Sequence, residues 1–118
     1  MHNPDLMTRA IDYFARWYAT TIDLSVMAHS LGVSVEELEQ QFLYYRSRSA
    51  QAALTHYRLN RLCDAINHDP EIDLAALARR CGFRSLEEAD RAFSGSYCQN
   101  LMQFQDQCRH VLAWRQAH

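Results

Sequence analysis

Six arginines fall in two short stretches of the chain, Arg46 and Arg48 in one and Arg79, Arg80, Arg84 and Arg91 in the other. A guanidinium carries a permanent charge and a planar fork of N–H donors, so such groupings suit phosphate and other oxyanions. Ser34 and Ser85 stand where helices are expected to begin. A helix N-terminus adds backbone donors and a favourable dipole for the same anions. Carboxylates are interleaved with these groups: Glu36, Glu37 and Glu39 near the first stretch, and Glu87, Glu88 and Asp90 near the second. The formal net charge is −2 and the pI about 6.3. The chain as a whole therefore lacks the positive field that usually draws a protein to a polyanion. Each arginine also reads as an ordinary solvated or salt-bridged surface residue.

Other chemistries find little support. His2, His29, His56, His68, His110 and His118 are scattered singly. Cys63, Cys81, Cys98 and Cys108 form no CxxC pair and none lies at zinc-like spacing from a histidine. They are expected as four free thiols, mostly small buried hydrophobes. No phosphate-binding glycine loop, nucleophile elbow or metalloprotease motif is present. The expectation is a non-enzyme with no cofactor and no metal. Apolar runs are too short to cross a membrane, and the first eight residues lack the basic-then-apolar pattern of a secretion signal, so a cytoplasmic location is expected.

The elements that must position these side chains come from a repeat. Ile22-Asp23-Leu24 through Leu31-Gly32-Val33 is repeated 50 residues later as Ile72-Asp73-Leu74 through Cys81-Gly82-Phe83. After the glycine the offset becomes 51: Ser34 matches Ser85, Glu36-Glu37 match Glu87-Glu88, and Phe42 matches Phe93. Each copy opens with a capping aspartate, Asp23 or Asp73, before apolar residues at helical spacing. Gly32 and Gly82 supply the left-handed backbone that ends a helix. Ser34 with Glu37 and Ser85 with Glu88 predict capping boxes for second helices over Val35–Tyr45 and Leu86–Phe93 or beyond. The copies are helix-turn-helix units at about 22–45 and 72–98. Further helices are expected at Leu6–Ala19, with Ile11, Phe14, Trp17 and Tyr18 near one side, at Ser49–Asn67 as a rigid linker helix (about 49–67), and at Asn100–Trp114. Residues 1–118 thus form one all-α domain of two helix-turn-helix subdomains, a homeodomain-like pair, without a sheet. Leu31, Cys81, Ala28, Ala78, Phe42 and Phe93 are expected in the cores.

This plan resembles the DNA-binding domain of AraC/XylS-type transcription regulators over about Ile11–Arg109. Arg58-Leu59 resembles the family's Arg-Leu pair in the linker helix. Ile72 through Ala78-Arg79-Arg80-Cys81-Gly82-Phe83 resembles its second-unit signature, and the longer second turn is a family trait. The resemblance implies that the second helices enter successive major grooves, about one helical turn of DNA apart. It also implies that Arg58 ties the units together structurally. Departures accompany it. Ser47 and Cys98 occupy positions where the family has glycine, Leu101 stands for its proline, and Gln105, after Phe104, for its arginine. The faces expected to read bases carry Glu36, Glu39 and Gln40 in the first unit and Glu87, Glu88, Asp90 and Arg91 in the second.

Two functions follow. The first is a sequence-specific DNA-binding regulator contacting double-stranded DNA through Ser34, Gln40, Arg46, Arg48, Arg79, Arg84, Ser85 and Arg91, with the second unit contributing most. The alternative is a helix-turn-helix protein that has lost DNA binding. It would contact RNA polymerase or another regulator through an acidic face of Glu36, Glu39, Glu87, Glu88 and Asp90. The sign of charge on the second helices separates the two.

Overall fold

A buried backbone amide or carbonyl must find a partner, and the ends of helices are where partners run out. In the computed structural model, which describes residues 2–118, nearly every helix end is closed by a short polar side chain or a left-handed residue. Among the described residues there are seven helices and no strand: α1 (Pro4–Trp17), α2 (Leu24–Ser30), α3 (Val35–Arg46), α4 (Ala50–His68), α5 (Leu74–Arg80), α6 (Leu86–Tyr97) and α7 (Leu101–Ala117). The all-α expectation holds. The chain divides into two compact units, one ending at Tyr57 and the other running Arg58–His118. The first half of α4 belongs to one unit and the second half to the other.

In the first unit, Asn3 Oδ1 accepts from the Leu6 amide at 3.0 Å, and Pro4 at the first helical position needs no donor of its own. The Asn3 amide donates to Gln41 Oε1 at 2.9 Å, which ties the start of α1 to α3. The core is Met7, Ala10 and Phe14 of α1, Met27 and Ala28 of α2, Leu38 and Phe42 of α3, and Ala50, Ala53 and Leu54 of α4. Phe14 and Phe42 stack with centroids 5.5 Å apart, and Tyr57 closes on Phe14 at 6.0 Å. In the second unit the buried set includes Leu59, Leu62, Ile66, Leu77, Ala78, Cys81, Phe83, Ala89, Phe93 and Leu101. Phe93 packs on Phe104 at 5.4 Å. Gln105 Nε2 donates to the Ile72 carbonyl at 3.0 Å and Cys108 Sγ to Asn67 Oδ1 at 3.3 Å, which fix α7 to the loop before α5 and to the end of α4.

The two turns are built alike. The Val33 amide donates to the Ala28 carbonyl and the Gly32 amide to that of His29. Fifty residues on, Phe83 donates to Ala78 and Gly82 to Arg79. This is the Schellman closure, and Gly32 and Gly82 take the positive φ it requires, 75° and 96°.

Three sequence expectations are modified. Ser34 and Ser85 accept from the Glu37 and Glu88 amides as expected, both at 3.1 Å. The return bond of Glu88, however, is to the Arg84 amide, one residue earlier, because Ser85 is fully extended. A complete capping box forms instead at Asn100 and Gln103, opening α7. Leu31 is only half-buried where its counterpart Cys81 is 4% exposed. Trp17 remains 45% exposed: it continues the buried stripe of Leu6, Met7, Ala10 and Phe14 at helical spacing but is the last residue of α1, where that stripe is no longer covered.

Ser47 and Cys98, 51 residues apart, end α3 and α6 in the left-handed region at φ 57° and 58°. A Cβ there crowds the following carbonyl. Ser47→Gly and Cys98→Gly are each expected to stabilise the protein by about 0.5–1 kcal/mol, the strain relieved exceeding the entropy added to the unfolded chain. Urea midpoints of the two variants check this, and a fall in either midpoint would contradict it.

Candidate nucleic-acid interface

The candidate site consists of the exposed faces of α3 and α6 with the turns that start them. Asp23 and Asp73 cap α2 and α5, the Schellman turns reverse the chain, and Ser34 and Ser85 restart it. On α3 this leaves Glu36, Glu37, Gln40, Leu43, Tyr44 and Arg46 facing solvent, and on α6 Glu87 and Arg91, with Gly95, Ser96 and Tyr97 in its last turn. Gln40 and Arg91 occupy the same place in the two copies, 51 residues apart. Leu43 and Tyr44 were not singled out in the sequence. They lie three and four residues beyond Gln40, on the same side of the helix. Tyr44 is stacked by His2 at 3.6 Å.

The arginines are exposed throughout. Arg46 closes α3 and Arg48 lies between α3 and α4. They are near enough to His56 to lower its pKa, after the larger effect of its burial. Arg79 and Arg80 end α5, where a cation suits the C-terminal dipole. Arg84 sits in the second turn with its side chain 93% exposed, and its 3.7 Å ion pair with Glu88 is too solvated to hold it strongly. Arg58, by contrast, is 9% exposed. Burial lowers its pKa, and the charge of Glu88 opposes that shift.

The carboxylates divide into two groups. Glu39 Oε1 accepts from the Ala50 amide at 2.8 Å, and Asp90 Oδ1 from the Leu101 amide at 2.8 Å. These are matched bonds in the two copies, each running from the second helix of a unit to the first residue of the helix after it. Ser49 and Asn100 cap those same helices from the neighbouring position. Glu39, Glu88 and Asp90 are therefore half-buried and hydrogen-bonded within their own units, and Glu36 and Glu87 are the members of the proposed acidic face that stay exposed. A pattern of exposed positions around a helix identifies a face but not a partner eleven residues away. The matched spacing, 39 to 50 and 90 to 101, was the available signal.

Cys63, Cys81 and Cys108 share the core of the second unit, and Cys98 is exposed. Burial, then the neighbouring Asp64, Cys108 and Cys81, pushes the Cys63 thiol up to about 11. Burial also raises Cys81 and Cys108. Among the described residues no group of three histidine, cysteine or carboxylate side chains is placed to hold a metal ion.

No family model and no curated protein sequence matches the chain. Solved structures do match its fold. The AraC-type transcriptional regulator from Chromobacterium violaceum superposes with a TM-score of 0.82 at 18% identity, over 89% of this chain and 93% of that one. The DNA-binding transcriptional dual regulator from Escherichia coli K-12 gives a TM-score of 0.76 at 21% identity, over 89% and 93%. The C-terminal domain of the two-component response regulator yesN from Fusobacterium nucleatum gives 0.76 at 18%, over 86% and 98%. The chain has the double helix-turn-helix fold of the AraC-type DNA-binding domains.

Two outcomes are expected from this geometry. Glu39→Ala and Asp90→Ala should each lower stability by about 1 kcal/mol through a lost helix-start bond, while Glu36→Ala and Glu87→Ala stay within about 0.5 kcal/mol of the parent. Thermal melts of the four variants would show it, and equal effects across the set would refute it. Iodoacetamide at pH 8 should alkylate the exposed Cys98 well before the three core thiols, whose raised pKa values leave little thiolate at that pH. Peptide mass mapping over time reads the order, and early labelling of Cys63 would contradict the packing.

Proposed function

We propose that the protein is a DNA-binding transcription regulator whose α3 and α6 are recognition helices, each offered to a major groove. The observation that carries this reading is the matched pair of exposed faces, with Gln40 and Arg91 at the same position of two helix-turn-helix units. Gln pairs bidentately with adenine and Arg with guanine. Arg46 and Arg48 beside the first unit, and Arg79 and Arg84 beside the second, supply phosphate contacts. Ser34 and Ser85 present helix N-termini to the backbone. The solved structures with this fold include regulators described as DNA-binding.

Three of the five carboxylates set against this reading are engaged inside their own units, which lowers the repulsion a phosphate array would meet. Glu36 and Glu87 remain and cost affinity. The protein-binding alternative rested on an acidic face of five groups. With two of them exposed, it has less to offer RNA polymerase or another regulator.

Gel shifts after selection from random duplexes test the proposal. Arg91→Ala should cost about 1–3 kcal/mol at the selected site and relax preference at one base pair. Arg84→Ala and Arg46→Ala should weaken all sequences alike and reduce the salt slope by about one. The Glu36→Gln, Glu87→Gln double variant should bind random DNA severalfold more tightly. Absence of any complex at low salt would overturn the function.

A further inference from the structure

Outside the DNA-facing helices, the first unit carries an open groove of about 440 Å³ between α1 and the end of α2, lined by Arg9, Asp12, Tyr13, Arg16, Trp17, Ser30 and Leu31. Its size is that of a small-molecule site. The fold does not oblige it to be there. Leu31, one of its lining residues, is half-buried, while the matching Cys81 of the second unit is covered.

The lining is chemically ordered. Arg9 is committed, its Nε to Asp5 at 3.2 Å and its Nη1 to the Leu31 carbonyl at 3.1 Å. Arg16 and Asp12 are not. They stand four residues apart on α1, a spacing that normally allows an ion pair, yet among the described residues neither has a hydrogen-bond or ionic partner. An exposed tryptophan lies alongside, its ring 6.4 Å from that of Tyr13. The groove thus offers a free guanidinium fork, a free carboxylate acceptor, a hydroxyl from Ser30 and two aromatic faces.

We propose that this groove binds a small aromatic carboxylate that also carries a hydrogen-bond donor. The carboxylate pairs with the Arg16 fork, which matches its geometry bidentately. The ring packs against Trp17 and Tyr13, and a phenolic or ring N–H donor meets Asp12. Leu31 of the lining leads directly into Gly32 and the turn that precedes α3.

Calorimetric titration of the full chain with 4-hydroxyphenylacetate tests this. Saturable binding is expected with a Kd on the order of 1 mM or tighter, as suits a ligand of that size. The neutral amide, 4-hydroxyphenylacetamide, should bind at least about tenfold more weakly, as should Arg16→Gln and Trp17→Ala. Both side chains are exposed, so circular dichroism should show unchanged helicity in these variants. Arg115→Gln, on the exposed end of α7, should bind as the parent does. No saturable heat up to about 10 mM, or equal affinity in Arg16→Gln or for the amide, would overturn the proposal.

Discussion

The amides at the starts of α4 and α7 must be satisfied, and each is satisfied by a carboxylate borrowed from the preceding helix. Glu39 reaches the Ala50 amide and Asp90 the Leu101 amide. A charged acceptor on a helix N-terminus gains from both the hydrogen bond and the dipole. The bond spans eleven residues and fixes α3 against the start of α4, and α6 against the start of α7. The face that the second helix of each unit shows to solvent therefore follows from where its inward carboxylate is held. Ser49 and Asn100 complete the arrangement from the neighbouring position, again in both copies.

This constraint also explains a composition that looked unfavourable. Acidic residues on second helices suggest repulsion from phosphate when they are counted along the sequence. Their placement changes the count: one per unit serves the next helix, Glu88 accepts from the Arg84 amide and its charge acts on the buried Arg58, and Glu36, Glu37 and Glu87 remain exposed in the first turns, where negative charge stabilises the helix that bears it. Charge on a small domain cannot be read as a sum when several of its carriers are structural.

Much of the fold was legible because a repeat reports each feature twice. The glycine turns, the serine caps, the aspartate caps and the buried Phe42 and Phe93 all follow from local rules acting on matched residues. Element ends moved by one to four residues, as in α1, which starts at Asn3–Pro4 because that pair caps it. Partnerships between elements were not legible. Nothing in the helical periodicity of Glu39 distinguishes a base-reading side chain from one that caps α4. The exposure of Trp17 and the half-burial of Leu31 escaped for the same reason, since periodicity places a residue on a side without saying whether a neighbour covers it. Ser47 and Cys98 were visible as departures from glycine, and the structure shows them keeping the backbone conformation that glycine takes more easily.

The second turn is longer than the first by a single residue. Both turns close with the same Schellman bonds, at Val33 and at Phe83. In the first the serine cap follows at once, whereas in the second Arg84 intervenes before Ser85. The added residue disturbs neither flanking helix, and its side chain projects almost entirely into solvent. A duplicated unit could thus acquire a new positive group by lengthening a connection, with no core position altered and no existing contact given up.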